Sequence, residues 1–324
     1  MPTLRGVNCE PIWTASGAQG FFGEGYPYHR LLKLFFPWGF SFKGSTFVAK
    51  TTTLMPRQGN LPLKRDGITP REWLPKCVVV KPLQKVALNA VGLSGPGALA
   101  LFETKRWQEY RRPFFVSFMS VEKDPDARLK ELEEFLELFR RYHPAFKAPV
   151  GLQVNFSCPN VGLHPGKLVG EVRKALDLAD AKVSLRVPVV PKFNALLPIS
   201  AAKEIASHRR CDALCVSNTI PWGALPHRID WQDLFGSSES PLKKYGGGDL
   251  SGAPLLSIVR DWVTEARAAG ITKHINAGGG ILCADDVRTL FRAGASSVFV
   301  GSAVMLCPWR LQSIIRTAHL AAPN

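Results

Sequence analysis

The sequence has no apolar run close to the ~20 residues that a membrane-spanning helix needs. Its greasiest stretch, Leu31 to Phe42, is broken by Lys33, Pro37, Gly39 and Ser41. Met1 to Glu10 has no apolar core of the signal-peptide kind, so a cytoplasmic protein is expected. The seven cysteines (Cys9, Cys77, Cys158, Cys211, Cys215, Cys283, Cys307) are widely spread and include no C-x-x-C pair. That pattern argues against a disulfide framework, a zinc site or an iron–sulfur cluster held by this chain alone, and no metal site is expected. Cys211 and Cys215 flank and enter an apolar segment and read as small core residues. Acidic residues are the scarcer sign, 26 against 41 basic ones, giving a formal charge of +15. Such a field attracts anions without choosing among carboxylates, phosphates, nucleic acid and acidic lipid. The bases are scattered, densest at Lys105-Arg106, Arg111-Arg112, Arg140-Arg141 and Arg209-Arg210, so a generally basic surface is the simplest reading.

What is present is the composition of a folded protein, 46% hydrophobic and 21% charged over 324 residues. That length suits one large α/β barrel or two ordinary domains. Along the chain, apolar runs at 11–16, 46–50, 113–119, 149–154, 187–192, 213–218, 274–277 and 297–301 read as strands. Helical segments alternate with them at about 29–36, 124–143, 167–178, 199–207, 258–269, 285–293 and 309–319. Asp124-Pro125 is a strong helix start, an N-cap followed by proline at the first helical position. The stretch from Thr51 to Arg112 is too long for an ordinary connection. It holds an extended piece at 86–93 and a helix expected over 98–110, and it reads as an excursion over a barrel mouth. Eight strand–helix units in this length predict a single (β/α)8 TIM barrel spanning 1–324. The rival, a doubly wound open sheet, lacks a G-x-G-x-x-G after the first strand.

In such a barrel the active site sits at the C-terminal ends of the strands. Those ends carry Ala15-Ser16-Gly17, Lys50-Thr51, Ser117, Asn155 with Ser157-Cys158, Lys192, Asn218-Thr219, Gly279-Gly280 and Gly301-Ser302. The first six present amides, hydroxyls, lysines and a thiol. The last two present glycines and a hydroxyl, each ahead of a helix, which is where these barrels hold phosphate. A lysine at a strand end is costly to keep in a barrel mouth without an anionic partner. A phosphorylated cofactor such as a flavin suits that set. The aromatic cluster Phe21, Phe22, Phe35, Phe36 and Trp38 is expected to be core, with a dimer face or a membrane-surface patch as alternatives.

These residues resemble the dihydroorotate dehydrogenases, FMN enzymes of pyrimidine biosynthesis. The matching pieces are Ala15-Ser16-Gly17, Lys50-Thr-Thr-Thr53, Arg57-Gln-Gly-Asn60, Asn89-Ala-Val-Gly-Leu93 and Asn155-Phe-Ser-Cys-Pro-Asn160. They continue with Lys192, Ser217-Asn-Thr219, Leu250-Ser-Gly252, Gly279-Gly-Ile281 and Gly301-Ser302, in order over almost the whole chain. The resemblance implies an FMN on the strand ends, contacted by Ala15, Ser16, Gly17, Lys50, Thr51, Ser117, Asn155, Lys192, Ser217 and Gly252. Its phosphate would lie on backbone at Gly279, Gly280, Gly301 and Ser302. It further implies that Lys50, Asn89, Asn155, Asn160, Asn218 and Thr219 grip orotate or dihydroorotate, whose imide ring matches amide donors and acceptors pairwise. Cys158 would be the base that takes a proton from C5 while a hydride leaves C6.

Cys158 and the short lead before the first strand are features of the soluble, Cys-type class. Ser217-Asn-Thr219 and Leu250-Ser-Gly-Ala-Pro-Leu255 look more like the quinone-using class. Fumarate, NAD through a partner subunit and quinone all stay open as electron acceptors. Two other FMN reductases share parts of the pattern. A tRNA-dihydrouridine synthase-like enzyme would use the basic charge for RNA, but it needs a helical domain after the barrel, so no nucleic acid is expected. A dihydropyrimidine dehydrogenase-like enzyme fits Asn160 less well. Nothing in the sequence decides the oligomeric state, a homodimer included.

Overall fold

The computed structural model describes residues 2–156 and 165–323. Eight parallel strands, β1 (Ile12–Thr14), β2 (Phe47–Val48), β3 (Phe114–Phe118), β4 (Val150–Asn155), β5 (Val189–Asn194), β6 (Ala213–Asn218), β7 (His274–Ala277) and β8 (Ser297–Val300), pair in the order β1-β8-β7-β6-β5-β4-β3-β2. The seam between β1 and β2 is closed by Thr46. Its N–H donates to Ile12 O at 3.0 Å and its carbonyl accepts from Thr14 N at 2.9 Å. The expected (β/α)8 TIM barrel is therefore the fold. Strands such as Phe-Phe-Val-Ser-Phe at β3 are buried throughout because a parallel sheet is covered on both faces.

The helices lie between the strands, and their apolar stripes face the sheet. In Pro125–Tyr142 the buried positions are Arg128, Leu132, Phe135, Leu136 and Phe139, and Asp124 caps the start by accepting from Asp126 N (3.1 Å) and Ala127 N (2.9 Å). In Leu255–Ala268 the stripe includes Ile258, Val259, Trp262, Val263 and Ala266. Inside the barrel, Trp13 stacks on Phe115 with centroids 4.5 Å apart, among Val48, Val190, Ala213, Cys215 and Phe299. A hairpin, Thr3–Leu4 with Val7–Asn8, pushes Leu4 and Val7 into that same cluster. Its turn uses Arg5 (φ 47) and Gly6 (φ 80), a left-handed pair suited to a two-residue hairpin. Arg5 then bonds Asp212 (2.7 Å), Leu185 O and Arg209 O, just ahead of β5 and β6. The hairpin thus plugs the N-terminal end of the barrel and leaves the C-terminal ends as the open rim.

The extended piece expected at 86–93 is present as the strand Val86–Asn89, in a separate four-stranded antiparallel sheet with Val78–Lys81, Asp249–Gly252 and Ile220–Pro221. Other expectations are corrected. The stretch after β6, rich in Gly, Ser and Pro, supplies two of those strands and the short helix Trp231–Phe235, so it is more than a loop. Asp249 pairs opposite Asn89, so the pattern depends on a partner 160 residues away and not on local periodicity. The helix expected over 98–110 ends at Glu103, because Lys105 turns left-handed (φ 58). The aromatic cluster splits: Phe21 and Phe22 are core, whereas Phe35 and Trp38 are 70% and 88% exposed. The helix His29–Phe35 buries His29 and turns most of its apolar side chains outward.

Candidate active site

The rim opens into a cavity of about 1520 Å³, larger than the ~300–1,000 Å³ of an ordinary small-ligand pocket. It has room for a cofactor and a substrate together. Ala15, Ser16, Gly17, Lys50, Thr51, Asn89, Asn155, Lys192, Ser217, Asn218, Thr219, Gly279, Gly280, Gly301 and Ser302 all line it. Two predicted contacts do not. Ser117 is buried behind Thr51, their hydroxyls 2.9 Å apart. Gly252 belongs to the antiparallel sheet, opposite Val86. Cys158 and Asn160 lie outside the described residues.

The end of β1 is tied to the end of β2 by hydroxyls. Ser16 Oγ donates to Ala49 O at 2.9 Å and accepts from Thr51 N at 2.8 Å. Tyr26, which sequence reasoning missed, donates its hydroxyl to Gly17 O at 2.6 Å and lines the same wall. Lys50 runs over the Phe21 ring (4.5 Å) and donates to Ser94 O, a residue of the excursion. Burial lowers its pKa to about 8.

On the opposite strands, Asn155 and Lys192 are direct neighbours in the β4–β5 register. Asn218 Nδ2 donates to Asn155 Oδ1 at 3.3 Å, and Asn89 Nδ2 to Asp249 O at 3.3 Å. Two amides thus come from β4 and β6, and a third from the antiparallel sheet. Burial also lowers the pKa of Lys192, 5.7 Å from the Phe299 ring centroid. Asp249, a second residue missed from the sequence, lines the cavity, and burial raises its pKa to about 6. Beneath the lysine, Gln153 Nε2 donates to Cys215 Sγ (3.6 Å), which contacts Asn276 Oδ1 (3.6 Å), whose amide donates to Ser297 Oγ (2.7 Å). Burial pushes the Cys215 thiol up to about 12, so it is an inert core group, as expected.

At the ends of β7 and β8 the backbone itself forms the wall. A Cβ on Gly280 would stand 2.6 Å from Leu256 N, and one on Gly301 2.8 Å from Ala15 Cβ. Those turns therefore exclude side chains and leave backbone facing the cavity, the cradle a phosphate requires. The helix Ala284–Arg292 follows the first of these turns. Asp286 already accepts from Leu282 N (2.7 Å) and Cys283 N (2.9 Å) there. After β8 the helix is a single turn, Ala303–Leu306. Among the described residues, no group of three metal-ligating side chains comes together.

The comparisons with known proteins agree on one family. The family model for dihydroorotate dehydrogenase matches residues 7–319. The catalytic subunit of dihydroorotate dehydrogenase B (NAD(+)) from Anoxybacillus flavithermus is 31% identical over 94% of this chain and 85% of its own length. The same subunit from Bacillus caldolyticus is 30% identical over 94% and 84%. Among solved structures, a DHODH from Eimeria tenella superposes with a TM-score of 0.65 at 18% identity, covering 96% of this chain and 80% of that one. The match of the family model to nearly the whole chain carries the assignment: the protein belongs to the dihydroorotate dehydrogenase family.

Proposed function

We propose that the protein oxidises dihydroorotate to orotate with FMN as its cofactor. The observation that carries the reading is the pairing, in one cavity, of three amides (Asn89, Asn155, Asn218) and Lys50 with glycine turns at Gly279–Gly280 and Gly301, the last followed by Ser302. FMN would be held by Ala15, Ser16, Gly17, Thr51, Lys192 and Ser217, with its phosphate on those turns. When bound, it supplies a two-electron acceptor for the hydride leaving C6 of the substrate. The amides, with Thr219 and Asn160, orient the planar imide ring, and Lys50 offers its cation to the substrate carboxylate. Cys158, three residues beyond Asn155, takes the C5 proton as its thiolate. The relatives named as catalytic subunits of an NAD(+) enzyme support a partner chain that relays electrons onward.

A free thiol has a pKa of ~8.5, so the reductive half-reaction should speed up with pH until the thiolate forms in the complex. Anaerobic stopped-flow recording of flavin bleaching by dihydroorotate, with dihydrouracil and tRNA as controls, tests both substrate and base. Cys158→Ala should slow bleaching by ~10²–10⁴, the usual worth of a positioned base, and flatten the pH profile. Wild-type rates in both Cys158→Ala and Cys158→Ser would remove the base assignment. Bleaching by dihydrouracil in place of dihydroorotate would remove the substrate assignment.

A further inference from the structure

The barrel interior is unequally divided. One side is apolar, with Trp13, Val48, Phe115 and Phe299 packed together. The other holds a buried polar run that the redox chemistry leaves unused. Gln153 stands on β4 two residues before Asn155, the β4 neighbour of Lys192, and Cys215 is the neighbour of Lys192 on β6. Because β5 lies between them, the Gln153 carboxamide crosses it beneath Lys192 to donate from Nε2 to Cys215 Sγ (3.6 Å). Cys215 Sγ donates to Asn276 Oδ1 (3.6 Å), and Asn276 Nδ2 donates to Ser297 Oγ (2.7 Å). Ser297 Oγ lies in turn 2.7 Å from His274 Nε2. From Gln153 to Ser297 each link donates away from Lys192. At the near end, Gln153 Oε1 is buried and has no hydrogen-bond partner among the described residues.

A buried acceptor left without a donor is costly, so its position calls for an explanation. Aligned hydrogen bonds polarise one another, and the acceptor end of such a chain is its negative pole. That pole belongs to the residue running beneath Lys192, whose ammonium is disfavoured by burial. The neighbouring strands offer no counter-charge from within the barrel. Cys215 on β6 is pushed up to about 12 by burial, and His274 on β7 is lowered to about 4 by burial and by Arg267, so both are neutral near pH 7. Lys50 on β2 shares the cavity as a second base, while β1, β3 and β8 contribute Trp13, Phe115 and Phe299. We propose that Gln153 is a positioning residue: its Oε1, backed by the chain to His274, is the acceptor that anchors the Lys192 ammonium. Lysine's flexible stem and rotatable donors let it turn onto that oxygen. A cation beside a flavin raises its affinity for electrons, so the anchored pair sets the reduction potential. That redox consequence rests on the FMN reading; the anchoring of Lys192 does not.

NMR titration of isotope-labelled lysine side chains in the full chain tests the anchoring, with Lys192→Met assigning the signal. Gln153→Met keeps the volume and removes the acceptor, so Lys192 should bind its proton about tenfold more weakly, the worth of one hydrogen bond to a charged group. Gln153→Glu restores an acceptor and should hold that proton more tightly than wild type. In the FMN-loaded protein, dye-equilibrium titration should show the Gln153→Met reduction equilibrium shifted about tenfold toward the oxidised form, ~30 mV for a two-electron couple. The gap should close on acidification, where Lys192 is protonated in both proteins. In Gln153→Glu the potential should fall at every pH, because the added carboxylate cancels the cation. A Gln153→Met protein whose melting temperature falls while Lys192 titrates as in wild type overturns the proposal. So does a Gln153→Glu protein in which Lys192 titrates no higher. Failure of dihydroorotate to bleach the flavin would remove the substrate reading instead, and the lysine titration would still decide this one.

Discussion

Lys50 shows how a single side chain can be costly to the fold and useful to a site. Its ammonium is buried against Phe21 and Ser94, and its pKa falls from 10.5 to about 8. The unfolded chain therefore binds this proton more tightly, and stability rises with pH between about 8 and 10.5. Lys50→Met should raise the ligand-free melting temperature near neutral pH and lose that alkaline rise. A melting series from neutral to alkaline pH checks this, and an unchanged slope would mean Lys50 is not the group responsible. The same variant should weaken orotate binding below pH ~8, where the native lysine is charged and the substrate carboxylate needs a cation. Asp249 works in the reverse sense. Its carboxyl is raised to about 6, so its contribution is present at low pH and lost as pH rises from 3.8 through that value.

At the level of elements, the strand ends divide by what they offer. The turns after β7 and β8 give backbone, and those after the other strands give side chains. Gly280 sits at φ +75 with no room for a methyl group between Leu256 N and Gly252 O. Gly280→Ala should strain the turn by ~1–3 kcal/mol and weaken FMN binding by about tenfold or more, while far-UV circular dichroism stays near wild type. Titration of the apoprotein with FMN measures it, and unaltered affinity would move the phosphate elsewhere. The helix Pro125–Tyr142 depends on its cap. Asp124→Ala removes the acceptor for two backbone N–H groups and should cost ~1 kcal/mol by denaturant midpoint.

For the whole molecule, stability and function are placed at opposite ends of one barrel. The N-terminal end is filled by the hairpin's Leu4 and Val7, and Trp13 stacked on Phe115 packs the interior behind them. Trp13→Ala should cost ~3–5 kcal/mol by chemical denaturation with little direct effect on the rim chemistry. A loss under ~1 kcal/mol would show that the plug collapses to refill the space. Polar cost is carried at the other end, where two buried lysines, three amides and Asp249 converge on the cavity.

Much of this organisation was legible from the chain alone. Doubly covered strands such as β3 are continuous apolar runs, and Asp124-Pro125 announces its helix by chemistry confined to a few residues. Strand ends follow from strand positions, so fifteen of the predicted contact positions line one cavity. Periodicity could not reveal pairings made at long range. The antiparallel sheet joins Asn89 to Asp249 and brings Asp249 to the site, whereas Tyr26 reaches it through its hydroxyl on Gly17 O. Burial too is a tertiary property. Phe21 and Phe35 are the same residue type fourteen positions apart, one buried under Lys50 and the other 70% exposed. The sequence by itself determined the barrel, its open rim and the residue types there, because these depend on local pattern. The tertiary structure alone decided which lysine is desolvated, which glycine turn excludes a side chain and which aromatics face outward, because those depend on what packs against them.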